Sequence, residues 1–197
     1  MLTQACFAQI NTTKLDKNTI PQNIPYTGNI QQAVRWTDKT GEHIVLLTTT
    51  EITTTKHEND EFSSKALYAN HYLVSGNNIQ QTWQVYDYVK TCPFELLLNF
   101  VEQSFAVTDL NKDGKAEVWI MYKAACQGDI NPVPMKIIMH QDNQQFTVRG
   151  TTSVKLNATK STGGEYHFDA AFTTSPAVFR QYAAQLWKQH KTETWAK

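Results

Sequence analysis

The segment from Asp109 to Glu117 constrains the fold most strongly, because it places an acidic turn between two strand-like runs. It reads Asp-Leu-Asn-Lys-Asp-Gly-Lys-Ala-Glu, with oxygen-bearing side chains at its first, third, fifth and ninth positions and Gly114 at the sixth. Alternate residues of a tight turn can all point oxygen atoms inward, and Ca²⁺ takes about six to eight oxygen ligands. We therefore predict a calcium site formed by the side chains of Asp109, Asn111, Asp113 and Glu117 and the carbonyl of Lys115.

The residues on either side of this segment predict strands. Phe105–Val107 before it and Val118–Tyr122 after it are rich in apolar, aromatic and β-branched residues. An EF-hand would have helices here and a glutamate at its twelfth position, where this chain has Ile120. The pattern instead resembles the calcium loop of integrin-alpha/FG-GAP repeats, which joins two strands of a β-blade. The alternative is a hairpin turn rich in Asn and Asp that holds no metal.

Strand-like runs separated by Gly, Asn and Asp turns predict a mainly β protein. The same order of strands and turns occurs in residues 30–90 and again in residues 96–150. This indicates two antiparallel four-stranded units, arranged as a sandwich or as blade-like sheets. A C-terminal α-helix is predicted over residues 175–191, because apolar residues recur there at three- and four-residue steps. Ser175 and Pro176 favour an N-cap followed by a proline at the first helical position.

Length and charge narrow the class of protein. The chain has 197 residues, a formal net charge of zero and only 18% charged residues. We expect a single β-rich domain over residues 9–197, long enough for a substantial core. Clustered Lys and Arg, which nucleic-acid binding would need, do not occur, so no nucleic-acid partner is expected. No apolar run reaches the length of a transmembrane span.

The N-terminus and the cysteines both favour export. Residues 1–8 are similar to the end of a secretory signal peptide, with small residues up to Ala8, although the basic and long apolar regions are absent. If Cys6 is removed with that segment, Cys92 and Cys126 remain as an even pair. An oxidising compartment would allow them to form a disulfide, and the alternative is two buried free thiols. We therefore predict a periplasmic or extracellular protein.

A wider resemblance adds to the prediction of export. It is carried by Cys92-Pro-Phe-Glu-Leu-Leu-Leu, the Asp109 loop, and the stretch 122–139 with its Cys126, Gly-Asp and Pro residues. Over residues 92–152 the chain resembles an uncharacterised family of exported Gram-negative bacterial proteins, associated by name with surface polysaccharide biosynthesis. The resemblance implies a place in the cell envelope. It provides no catalytic residues.

Two functions remain open from the sequence. The first is a calcium-stabilised binding protein of the envelope, whose partner is a glycan or a protein; an immunity or inhibitor protein against an envelope-acting toxin is one form of it. Aromatic residues predicted to be exposed, Trp36, Trp83 and Tyr86, favour a glycan. The second is an enzyme that processes envelope polysaccharide. No catalytic motif supports it, although Glu95 and Glu102 could in principle act as paired carboxylates.

The segment after Cys126 is the predicted contact region. Gln127, Gly128, Asp129 and Asn131 begin a long loop that ends at Pro134. Loops held by a rigid scaffold commonly carry recognition. The alternative is that this loop is only a stiff connection between two strands.

Overall fold

The computed structural model describes residues 10–157 and 159–193, and strands dominate them. The strands are β1 (Thr12–Lys14), β2 (Asn29–Asp38), β3 (Gly41–Thr49), β4 (Thr53–His57), β5 (Asp60–Ser75), β6 (Asn78–Cys92), β7 (Glu95–Phe100), β8 (Ala106–Thr108), β9 (Glu117–Gln127), β10 (Pro134–Gln141), β11 (Gln144–Thr151), β12 (Ser153–Lys155), β13 (Ser161–Gly163) and β14 (Tyr166–Phe168). Two helices follow, α1 (Ala170–Thr174) and α2 (Ala177–His190). The predicted signal remnant at residues 1–8 lies outside the described residues.

Twelve of these strands form two antiparallel sheets of six strands each, and β12 and β13 pair with each other as a separate two-stranded sheet. The first contains β1 to β6, in the order β1-β2-β3-β5-β4 with β6 on the other edge of β5. The second has the order β14-β11-β10-β9-β7, with β8 also paired to β9. The predicted mainly β, antiparallel class is confirmed. Each sheet contains a four-strand meander, β2-β3-β5-β6 and β8-β9-β10-β11, and the additional strands extend it to six.

Three apolar clusters stack these elements into layers. The central cluster joins the facing sides of the two sheets and includes Val34, Val45, Leu67, Leu98 and Ile120. Because side chains alternate along a strand, the neighbours of these residues in each strand point to the outer face of the same sheet. The outer face of the second sheet packs on α2 through Trp119, Met121, Phe146, Phe179 and Trp187. The outer face of the first sheet is partly covered by residues 15–24, which contribute Leu15, Ile20 and Ile24.

A polar contact also ties the two sheets together. Asp87 of β6 lies on the inner face with Val85, as the alternation predicts, and its Oδ2 is 2.5 Å from Lys136 Nζ of β10. The hydroxyl of Tyr122 on β9 donates to the same oxygen at 2.8 Å. Burial acts to raise the Asp87 pKa, but these two hydrogen bonds and the lysine charge hold it below its ordinary value.

The C-terminal helix is confirmed, but its predicted start is wrong. The helix begins at Ala177, Pro176 occupies the N-cap position, and no side chain caps it. Ser175 instead ends the short helix α1, where its hydroxyl donates to the carbonyl of Phe172 at 2.9 Å. Neither described helix combines the length and the apolar character that crossing a membrane requires.

Candidate metal-binding loop and ligand-binding surfaces

The predicted calcium loop joins β8 to β9 and is organised by its own side chains. The Asp113 N–H donates to Asp109 Oδ1 at 3.0 Å and to Asn111 Oδ1 at 3.1 Å. The Gly114 N–H donates to Asp109 Oδ2 at 3.1 Å, and the Lys115 N–H donates to Asp113 Oδ1 at 2.8 Å. Gly114 has φ of 80°, a conformation that glycine adopts readily. The oxygen atoms are thus already turned toward the interior of the loop.

Glu117, the first residue of β9, is fully buried beneath this loop. Its Oε2 accepts hydrogen bonds from the Thr108 hydroxyl at 2.7 Å and the Leu110 N–H at 2.8 Å. Its Oε1 has no hydrogen-bond partner among the described residues. Burial raises the pKa of Glu117 to about 7, and the nearby charge of Asp109 acts in the same direction. At neutral pH this carboxyl therefore needs either a proton or a cation.

The turn between β2 and β3 packs directly against the acidic loop. The Asp38 Oδ2 accepts from the Ala116 N–H at 2.9 Å, and the Lys39 N–H donates to the Gly114 carbonyl at 3.0 Å. The Lys39 ammonium also contacts the Asp113 carbonyl. A fixed positive charge therefore lies at the loop and would compete with a metal ion.

The donor set fits calcium in its chemistry. Every proposed ligand atom is an oxygen, and the unpartnered Oε1 of Glu117 is a buried acceptor without a donor. The Lys115 ammonium pairs with Asp142 on the β10–β11 turn. Within residues 10–157 and 159–193, no three His, Cys, Asp or Glu side chains converge as a ligand set. The calcium site therefore stays a prediction, and it requires the loop oxygens and Glu117 to draw together around the ion.

The predicted disulfide is confirmed. Cys92 is the last residue of β6 and Cys126 lies near the end of β9, and their Cα atoms are 5.5 Å apart. The bond therefore joins the two sheets close to the point where the chain crosses from β6 to β7. A cross-link of this kind restricts separation of the sheets at that end.

The polar residues of the predicted contact loop mainly contact each other. Gln127 Nε2 donates to the Asn131 carbonyl at 3.1 Å and to the Asp129 carbonyl at 3.4 Å. Asn131 Nδ2 donates to Asp129 Oδ2 at 2.5 Å. Asp129 and Asn131 are exposed, and two apolar side chains are exposed beside them: Ile130 is 68% exposed and Phe94, which lies against Gly128, is 63% exposed. A binding role for Gln127, Gly128, Asp129 and Asn131 stays a prediction.

A largely buried stack of aromatic rings, which the sequence did not indicate, crosses the space between the sheets. His71 lies parallel to Trp83 with ring centroids 4.9 Å apart, and Trp83 lies 4.1 Å from His140 of the second sheet. His43 and Trp36 continue the stack on the first sheet. The expectation that Trp36 and Trp83 are exposed is therefore wrong, because Trp36 is buried and Trp83 is partly buried on the inner face of the sandwich. Trp36 is only 3% exposed.

Hydrogen bonds connect part of this stack to the acidic loop. Asp38 Oδ1 lies 3.0 Å from His43 Nε2, and His43 Nδ1 lies 3.1 Å from His71 Nε2. Burial lowers the pKa of His71 to about 3 and that of His140 to about 4. Neither ring nitrogen of His140 has a hydrogen-bond partner in the described structure. His71 and His140 are therefore neutral at physiological pH and act as packed rings.

The expectation of an exposed aromatic surface is met by tyrosines on the outer face of the first sheet. Tyr86 and Tyr88 of β6 are 48% and 47% exposed. Tyr68 of β5 packs against Tyr86 with ring centroids 5.0 Å apart, and the Lys90 ammonium lies 4.4 Å from the centre of the Tyr88 ring.

Three clefts lie along β2. One has a volume of about 390 Å³ and lies at the end of β2 distant from the acidic loop. Gln31, Gln32 and Glu102 line it. The other two, of about 460 and 270 Å³, extend from the same strand toward residues 14–17 and toward Phe105. Of these three clefts, none is lined by more than one carboxylate residue.

The structure does not bring the predicted carboxylate pair together. Glu95 begins β7 and Glu102 follows its end, so roughly 20 Å of extended chain separates them. Asp38 and His43 are paired, but their side chains are 5% and 7% exposed, and a substrate would not reach them.

No protein-family model, curated protein or solved structure matches the chain. The resemblance to exported Gram-negative proteins therefore stays a prediction from the sequence.

Proposed function

We propose that the protein is a calcium-stabilised binding protein of the periplasm or cell envelope, whose partner is an envelope glycan or protein. The observation that carries this proposal is the buried Glu117 carboxylate, with one unpartnered oxygen, beneath a loop whose Asp and Asn side chains point inward. A calcium ion would supply the positive charge that this arrangement needs at neutral pH, and it would fix the β8–β9 connection against the β2–β3 turn.

The disulfide supports an extracytoplasmic location. Disulfides form and persist in oxidising compartments and are rare in the reducing cytosol. The Cys92–Cys126 bond joins two sheets of the core. Millimolar calcium, which weak extracellular calcium modules use, occurs in the same surroundings.

Binding is favoured over glycan hydrolysis by the clefts along β2. Most glycoside hydrolases use two carboxyl groups that flank one substrate bond. The clefts along β2 contain Asp16 in one case and Glu102 in another, without a second acidic residue beside either.

A sedimentation assay tests this function. Purified, disulfide-bonded protein is mixed with isolated Gram-negative envelopes in calcium or in chelator, and the bound fraction is measured. We expect calcium-dependent binding that is lost after periodate treatment of the envelopes if the partner is a glycan, or after protease treatment if it is a protein. Absence of binding, or turnover of an envelope glycan that depends on one carboxylate of the protein, would overturn the proposal.

A further inference from the structure

The cleft between the end of β2 and the end of β7 has the chemistry of a saccharide site. Its lining contains four side-chain carboxamides, an alcohol and three apolar side chains. These residues are Gln31, Gln32, Asn99, Gln103 and Thr49, with Leu47, Phe100 and Val101. A carboxamide donates and accepts hydrogen bonds at the same time, which matches the hydroxyl groups of a sugar. The apolar side chains can contact the C–H face of a sugar ring.

Two backbone irregularities direct side chains into this cleft. The pairing of β2 with β3 shifts register between Ile30 and Gln32, so a β-bulge places Gln31 and Gln32 at the cleft. On the opposite wall, Gln103 has φ of 57°, an uncommon value for a residue other than glycine. Both irregular positions thus carry a carboxamide that lines the same space.

The carboxamides differ in whether they already form hydrogen bonds within the protein. Gln31 Nε2 donates to the Thr49 hydroxyl at 3.1 Å, and Asn99 Oδ1 accepts from Lys65 Nζ at 2.8 Å. Among the described residues, the side chains of Gln32 and Gln103 have no hydrogen-bond partner. The first pair is held in position, and the second pair is free to bind a ligand.

The charge of the cleft narrows the class of ligand. Glu102 is its sole ionisable lining residue, and Lys65 lies behind Asn99. An anionic ligand would meet the Glu102 carboxylate without a lysine or arginine in the lining to offset it. The cleft therefore favours an uncharged, hydroxyl-rich molecule.

We propose that this cleft binds a neutral oligosaccharide. The proposal rests on the envelope-binding function above, for which it specifies a site and a ligand class. Gln32 and Gln103 hydrogen-bond to sugar hydroxyls, Gln31 and Asn99 add further contacts, and Phe100 packs against a ring. The site lies roughly 20 Å along β2 from the Asp38 turn and the acidic loop. Calcium therefore acts on the scaffold and does not contact the sugar.

Solution NMR with a defined panel tests the site. The probes are neutral malto-, cello- and xylo-oligosaccharides, an oligogalacturonide as an anionic probe, and an uncharged extended peptide. We expect a neutral oligosaccharide at millimolar concentration to shift the side-chain amide resonances of Gln32, Asn99 and Gln103. Gln32→Ala and Gln103→Ala should each weaken binding about five- to tenfold, because each removes one or two hydrogen bonds. Gln80→Ala, which removes an exposed carboxamide of β6, should change affinity less than twofold.

Three results would overturn the saccharide site. One is the absence of shifts at these amides with every neutral probe, and another is stronger binding of the anionic probe or of the peptide. The third is binding that shifts Tyr86 and Tyr88 and leaves the cleft unchanged. That last result would leave the envelope-binding function intact and move its site to the tyrosine surface, so the two proposals fail in distinguishable ways.

Discussion

At the scale of single residues, the ionisation of Glu117 governs the acidic loop. Its pKa of about 7 in the folded chain is higher than the ordinary value, because the side chain is fully buried. A raised carboxyl pKa contributes stability below the ordinary pKa of about 4.5, and that contribution is lost as the pH rises toward 7. Ionised Glu117 therefore destabilises the metal-free protein, and it stabilises the protein once a cation is bound.

Glu117→Gln separates these two roles. The amide keeps an acceptor for Thr108 and Leu110 and removes the charge. In chelator at pH 8, we expect the variant to be more stable than the wild type by about 1–3 kcal/mol, since one pKa unit corresponds to about 1.4 kcal/mol. Its melting temperature should no longer respond to calcium. Denaturant unfolding and thermal melting measure both effects, and a variant that loses stability in chelator would show that the carboxylate is needed without metal.

Lys39 should oppose calcium binding. Its ammonium contacts the Asp113 carbonyl, so a metal ion in the loop would lie close to a like charge. A divalent and a monovalent charge about 6 Å apart in water repel by about 1.4 kcal/mol. We expect Lys39→Met to tighten calcium binding about three- to tenfold in titration calorimetry. Lys56→Met, which removes an exposed lysine of β4, serves as the control, and equal or weaker affinity of the Lys39 variant would contradict the expectation.

At the scale of elements, the disulfide is the strongest local constraint on how the sheets meet. The cysteines are 34 residues apart in the chain. The chain-entropy model gives such a loop about 3–4 kcal/mol of stabilisation. We expect the double change Cys92→Ala and Cys126→Ala to lower the melting temperature by about 6–12 °C. Wild-type protein in reductant should show the same decrease, and an unchanged melting temperature in both would mean that packing alone holds this end of the sandwich.

The elements that could be predicted are those with strong local signals. The β2–β3 and β5–β6 hairpins follow from apolar alternation beside turns with Gly41 and Gly76. The short strands β12 to β14 contain three residues each, too few for a period to be recognised. The sequence predicts Ser175 as the cap of α2, but it ends α1, because a Ser-Pro pair marks a helix boundary without showing which helix it belongs to.

At the scale of the whole molecule, acid sensitivity should come from the stack between the sheets. His71 and His140 have lowered pKa values of about 3 and 4 because both are buried. Their contribution to stability is present above the ordinary histidine pKa of 6.5 and is lost as the pH falls below it. Each contributes up to about 1.4 kcal/mol per pH unit, and protonation of Glu117 offsets one such contribution between about pH 7 and 4.5. We expect metal-free protein to lose about 1.4 kcal/mol per pH unit between pH 6.5 and 5.

His140→Phe provides the matched variant for this prediction. The phenyl ring can keep the contact with Trp83, and neither nitrogen of His140 has a hydrogen-bond partner in the described residues. The slope of unfolding free energy against pH, measured in chelator from pH 6.5 to 5, should decrease by about 1.4 kcal/mol per pH unit. An unchanged slope would place the acid sensitivity elsewhere.

The stack and the cleft show what the sequence could not supply. Alternation along a strand assigns Trp83 to a face, but it does not show that His140, 57 positions later, lies against it. The same holds for Gln32 and Gln103, which line one cleft because the two sheets bring the first residues of β2 close to the end of β7. The acidic loop was recognisable because all of its residues are local. Sites assembled from distant strands require the register and packing of the whole sandwich.

The most direct test of the central claim is thermal melting of the disulfide-bonded protein with calcium and with chelator. At a hundredfold excess over the dissociation constant, one bound ion adds about 2.7 kcal/mol, which corresponds to a rise of roughly 5–10 °C. We expect that rise for the wild type and for the control variant Asp60→Ala, which replaces an exposed aspartate at the start of β5. The double change Asp109→Ala and Asp113→Ala should abolish it. Identical wild-type melting in chelator and in millimolar calcium would contradict the account.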